Sequence, residues 1–183
     1  MAENWITEVL TFWFKELEPS KWFAPDPDVD QQIATRFKDL WMALSANPPA
    51  AATTDPRAAL AAVIVLDQFP RNMFRGTAQA FVTDDLALFL ARQALDARLD
   101  EKLAPEERLF LYMPFQHSEI AAVQSRSVAL FEKLGMEEPL RYAKEHRDIV
   151  YRFGRFPHRN KVLGRHSTEA ELEFMAGHAG FGQ

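Results

Sequence analysis

The sequence predicts an all-α fold, a single domain of about eight helices joined by short turns into antiparallel hairpins. Three observations carry this. Apolar residues recur at spacings of three and four along most of the chain. Helix openings and stops punctuate it throughout. No Asn-Gly or Asp-Gly pair separates alternating apolar runs, as a β-hairpin would favour.

The first helix is expected from Glu3 to Leu17, rich in aromatics (Trp5, Phe12, Trp13, Phe14) and stopped by Pro19. The second begins at Pro27 or Asp28 and runs to Ser45, with Ile33, Phe37, Leu40, Trp41 and Leu44 on one stripe. Asn47 to Thr54 is the most linker-like stretch but is too short to divide two domains. Asp55-Pro56 opens the third helix, since an acid at the N-cap followed by a proline with fixed φ suits a first turn. It runs to Gln68, and its Ala-rich first half favours helix over strand for Val63 to Leu66. The fourth spans Thr83 to Leu99, with acids at its positive end. The fifth starts at Pro105 and is expected to stop at Pro114. The sixth covers Ser118 to Leu134 before Gly135, and the seventh Glu137 to Phe153 before Gly154. The last opens on a capping box, Thr168 with Glu171, and closes at Gly177; residues 178–183 read as a loose tail.

At 183 residues the chain can bury one core and is short for two. Its longest apolar run, Ala58 to Leu66, is far below a membrane span, and Glu3 stands where a secretory signal carries basic residues, so a cytoplasmic protein is expected. Having no cysteine, it cannot use disulfides, thiolate nucleophiles or Cys-ligated metals. A net charge of -5 argues against nucleic acid and anionic membranes as partners. Yet Arg141 to Arg165 holds eight Lys and Arg against two acids. Such a local concentration suits a small anionic ligand or internal acidic partners.

Three constellations could carry chemistry. In Leu66-Asp67-Gln68-Phe69-Pro70-Arg71-Asn72, Asp67 shares the apolar face of Leu60 and Ile64, so its carboxylate needs a partner: an Arg that staples the turn, or a site that Asp67 orients. In Tyr112-Met113-Pro114-Phe115-Gln116-His117-Ser118-Glu119, a His117 at the start of the next helix would share a stripe with Gln124 and point with it into one cavity. His117 and Glu119 lack the cysteine ligands of a metal deaminase, and without a His-x-x-x-His pair no metal is expected. The third runs from His146 through Arg152, Arg155, His158, Arg159 and Asn160 to Arg165. His146 falls on the stripe of Tyr142, Ile149 and Phe153, and Arg152 lies four residues from Asp148. Arg155, His158, Arg159 and Arg165 have no acid at helical spacing. The anions that meet them are therefore either distant acids such as Asp67 and Glu119 or a bound carboxylate or phosphate. The Phe-Pro-Arg-Asn run at Phe69 is echoed by Phe156-Pro157-His158-Arg159-Asn160, each expected just past the end of an apolar helix.

The first two blocks, with Arg152-Phe153-Gly154-Arg155-Phe156-Pro157-His158-Arg159-Asn160 from the third, resemble the signatures of domain-of-unknown-function family 924, and the resemblance extends from Trp5 to Phe174. It implies a tetratricopeptide-like helical fold and supplies no activity, substrate or cofactor. From the residues themselves, the favoured expectation is a small-anion site. Arg71, Arg155, Arg159 and Asn160 would be the clamps, Gln68, Asn72, Gln124, His146, Arg152 and Arg165 would line it, and His117, Glu119 or His158 would move protons. The alternatives are a module whose concave face receives a peptide, and motifs that serve only to staple the fold. The sequence names no cofactor and no oligomeric state.

Overall fold

In the computed structural model, which describes residues 4–178, 180 and 181, every regular element among them is helical. In chain order these are α1 (Asn4–Thr11), α2 (Pro27–Ala46), α3 (Pro56–Val63), α4 (Phe69–Met73), α5 (Asp84–Asp96), α6 (Pro105–Gln116), α7 (Ala121–Leu134), α8 (Glu137–Phe153) and α9 (Glu169–Ala176). A wide π turn, Ile64–Gln68, joins α3 to α4 without leaving helical backbone, so the nine segments form eight rods. None is long and apolar enough to cross a membrane. Glu3, the expected first residue of α1, lies outside the described residues.

Most boundaries follow from capping chemistry. Asp26 accepts from the backbone N–H of Asp28 (3.0 Å) and Val29 (3.2 Å), and Asp55 from Ala58 (2.8 Å), each ahead of a proline in the first turn. Gly135 and Gly154 end α7 and α8 with φ of 75° and 70°, a backbone that a side chain disfavours. The capping box at Thr168 and Glu171 forms as expected.

Four expectations need correction. The first helix is α-helical only to Thr11 and continues as a second π turn over Phe12–Glu16. Pro114 does not stop α6, which runs on to Gln116. The next helix begins at Ala121, three residues later than expected, so His117 caps the end of α6 instead of opening α7. The third rod continues through Pro70 to Met73. Pro70 lacks the N–H that would bond the Leu66 carbonyl one turn back, and the Thr83 hydroxyl donates to that carbonyl instead, at 2.6 Å. Trp41 in turn donates its indole N–H to the Thr83 hydroxyl, at 3.3 Å.

The core is built around α3. Every residue from Ala58 to Phe69 apart from the polar Gln68 is fully buried, and alanines at 59, 61 and 62 give the rod a slim profile against α5, whose own buried alanines are 87, 91 and 94. α6 packs on both α3 and α5, α7 and α8 follow it consecutively, α2 lies over α4, and Trp13, Phe37, Phe69 and Phe110 interlock through edge and tilted ring contacts. A smaller cluster of Ile149, Val150 and Phe156 gathers Phe153, Phe174 and Phe181 beneath the C-terminal segment. The loose tail is thus corrected for the residues described: His178 bonds Glu145 at 2.9 Å, and Phe181 stacks on His146 with ring centroids 3.7 Å apart.

Candidate functional site

The π turn, α4, the C-terminal end of α6, the first half of α8 and the segments at Trp22–Ala24 and Gly180–Phe181 line a partly open cavity of about 450 Å³. Gln68, Arg71, Asn72, Arg75, Gln116, His117, Glu138 and His146 supply its polar lining; Trp22, Phe23, Met113, Phe131, Tyr142 and Phe181 supply most of its apolar lining. The volume suits one small molecule.

At its wall the first two constellations meet. Asp67 is fully buried and places Oδ1 2.8 Å from Nδ1 of His117. The carboxylate can only accept, so His117 carries its proton on Nδ1, and no described group donates to Nε2. Gln68 fixes the other carboxylate oxygen (2.5 Å), and Arg71 donates to the Asp67 carbonyl (2.5 Å) with its guanidinium 3.5 Å from the carboxylate. Burial and the nearby Arg71 outweigh the pull of Asp67 and lower the His117 pKa below its ordinary value. His117 is therefore neutral near pH 7. For Asp67, burial acts upward, but the charges and hydrogen bonds around it hold the carboxyl below the usual range. His117 acts most strongly in that direction, followed by the Arg71 charge.

His146, from the third constellation, lines the same cavity. Its Nδ1–H donates to the Tyr142 carbonyl at 2.8 Å, and burial lowers its pKa well below the ordinary value. Its ring centroid lies 6.3 Å from that of His117. Two neutral imidazoles with the same tautomer thus line one chamber. Among the described residues no group of three or more His, Cys, Asp or Glu is arranged to hold a metal ion.

The guanidinium cluster is organised differently from the expectation. Asp84 receives Arg71 in a two-pronged pair (2.8 and 2.9 Å) and Arg159 at 3.3 Å. The two members of the Phe-Pro-Arg echo thus converge on one carboxylate. Their local conformations differ, since Arg71 sits within α4 and Arg159 in a 3-10 turn, Pro157–Arg159. Arg159 lies between the rings of Phe81 and Phe156 (4.4 and 4.7 Å), and burial draws its pKa down to about 10. Arg155 forks onto Glu171 (2.7 and 2.8 Å), which also accepts from Asn160 (3.2 Å) and is held at about 2, chiefly by Arg155. Arg165 forks onto Glu119 (2.7 and 2.9 Å), whose Oε1 also accepts the Phe156 N–H.

These pairings correct several candidates. Arg155, Arg159, Asn160, Arg165 and Glu119 do not line the cavity; they knit the loop after α8 to α9, α5 and the α6–α7 connection. Gln124 also lies outside it, its amide donating to the Gln116 and Ser118 carbonyls at 2.7 Å each and so tying down the end of α6. His158 packs against Phe156 and Phe181 away from the lining. Arg152 is exposed and lies over Phe153 and Phe174, while Asp148 pairs with Arg147 instead. Asn72 and Arg75 both bind Asp30. Sequence reasoning missed Asp84, read only as a helix-opening acid, and Glu171, read only as a capping residue. It also missed the aromatic wall, whose members are far apart in the chain.

The model of the family described as a bacterial protein of unknown function, DUF924, matches residues 9–179. The structure of a protein of unknown function, ATU0120 from Agrobacterium tumefaciens, is similar at a TM-score of 0.90 and 40% identity, over 94% of this chain and 97% of that one. No functionally curated protein matches. With the family match covering residues 9–179, nearly the whole chain, the chain belongs to the DUF924 family.

Proposed function

We propose that the protein is a small-molecule enzyme whose general base is His117, oriented by Asp67. The observation that carries this is a fully buried carboxylate 2.8 Å from the Nδ1 of a neutral histidine on the wall of a ligand-sized cavity. Asp67 fixes the tautomer that leaves Nε2 as the proton acceptor, and it stabilises the imidazolium that proton uptake creates. The described lining contains no Ser, Thr or Cys, so the base acts on water or directly on an acidic group of the substrate. The small-anion reading loses weight, because both guanidinium groups at the wall already hold carboxylates: Arg71 on Asp84 and Arg75 on Asp30. A peptide module would set these side chains along an open groove, whereas the dyad faces a recess of single-ligand size.

The test is to incubate pooled small metabolites with the wild type, His117→Gln and Asp67→Asn, following depletion by mass spectrometry. A compound consumed by the wild type should be turned over about 10²–10⁴-fold more slowly by His117→Gln. Equal rates for the wild type and His117→Gln would sink the assignment.

A further inference from the structure

Donors and acceptors around the cavity are unequally committed. Carboxylates only accept, so the amide nitrogens facing them are fixed: Asn72 donates to Asp30 at 2.8 Å, and Gln68 to Asp67 at 2.5 Å. Arg71 spends both terminal nitrogens on Asp84, Arg75 spends Nε and Nη2 on Asp30, and the Trp22 indole donates to the Trp13 carbonyl at 2.8 Å. Both histidines spend Nδ1–H inside the protein. What no described group satisfies are lone pairs: Nε2 of His117, Nε2 of His146, Oε1 of Gln68 and Oδ1 of Asn72. Among the wall donors, the Arg71 Nε–H lacks an acceptor but is sealed from the cavity space, and the Gln116 side-chain amide makes no described hydrogen bond and can turn either its oxygen or its N–H₂ to a ligand. A carboxylate or phosphate would bring further lone pairs against this wall.

We infer that the cavity takes a hydrogen-bond donor carrying at least two hydrogens on one nitrogen, a primary amine with an apolar body, and not an anion. This rests on the cavity being the substrate site. The two imidazole centroids are 6.3 Å apart, close enough for one nitrogen between them to donate to both Nε2 atoms at about 3 Å. A hydroxyl has a single hydrogen and can serve only one of them. The apolar body would lie against Phe131, Tyr142 and Phe181, with the aromatic faces favouring the positive charge that an alkyl amine carries near neutral pH.

The test compares benzylamine, benzyl alcohol and benzoate by calorimetric titration into the full chain, and follows the imidazole nitrogens by ¹⁵N NMR. Benzylamine should bind about tenfold more tightly than either analogue and shift Nε2 of both histidines. His146→Phe keeps a ring against Phe181 and should remove that advantage while leaving benzyl alcohol unaffected. If that variant does not fold, the wild-type nitrogen shifts alone decide. Benzoate binding as tightly as the amine, no amine binding at the solubility limit, or amine binding that moves neither imidazole overturns the inference. A failure of the general-base assignment looks different: benzylamine would bind with both shifts while His117→Gln kept full turnover.

Discussion

Replacing Asp84 by Asn removes the one negative charge shared by two buried guanidinium groups and leaves the side chain's size unchanged. Arg71 and Arg159 are only 8% and 5% exposed, and three of their N–H groups reach Asp84 at 2.8, 2.9 and 3.3 Å. Water cannot readily replace the lost carboxylate, and taking one partner from a buried ion pair destabilises by roughly 3–5 kcal/mol. For a chain of this length that corresponds to a fall in Tm of roughly 6–20 °C. Glu16→Gln is the control: its partner Arg36 lies at 2.6 Å, but the two side chains are 43% and 30% exposed, so about 0–1 kcal/mol is expected. Urea unfolding of both variants beside the wild type measures the difference. Sulfate adds a second reading, because it should recover part of the stability of Asp84→Asn, where Arg159 loses its carboxylate and Arg71 keeps only Asp67 at 3.5 Å, more than it raises the wild type. A loss no larger than that of Glu16→Gln, or equal sulfate stabilisation of variant and wild type, would refute the argument that protein carboxylates already neutralise the arginine cluster.

Burial lowers the pKa of both His117 and His146 from 6.5, so as the pH falls below 6.5 the unfolded chain takes up protons that the native chain refuses. Stability should therefore decline from about pH 6.5 downward, by at most about 2.7 kcal/mol per pH unit for two protons, and urea midpoints at pH 7, 6 and 5 should fall less steeply in His117→Gln. Thr83→Val leaves the Leu66 carbonyl and the Trp41 indole without partners, so a loss of about 1–3 kcal/mol is expected, with faster hydrogen exchange concentrated in the π turn; unchanged exchange there would show that the hydroxyl does not support it.

The parts of the fold that were legible in the sequence are those decided within one helical turn. Asp26-Pro27, Asp55-Pro56, Thr168 with Glu171, and the glycines at 135 and 154 each satisfy or end a helix by contacts among near neighbours. The third helix runs past its expected end at Gln68, through Pro70, because the Leu66 carbonyl that the proline frees is met by Thr83, seventeen residues away. A search for acids at helical spacing failed for the same reason. Asp84 lies 13 and 75 residues from its two arginines, and Glu119 lies 46 from Arg165. Asp67 was recognised as a buried carboxylate in need of a partner, because its apolar face is a local property; that the partner included a histidine fifty residues on was not.

That difference in range also explains why the sequence drew attention to arginine when the geometry favours histidine. A guanidinium stays charged almost wherever it lies, so folding must supply it with a carboxylate, and a cluster of arginines is evidence of acids nearby at least as much as of a ligand. An imidazole can be buried neutral, and once Nδ1–H is fixed by Asp67 or by the Tyr142 carbonyl, the second nitrogen is left as an acceptor that the fold need not satisfy. The π turn gives that acceptor its place. Its five residues, Ile64–Gln68, are fully or almost fully buried, and it sets Asp67 and Gln68 side by side against His117 and the cavity. Function in this chain is therefore best sought at lone pairs the protein leaves unmatched, and these lie on the histidines and amides of the cavity wall.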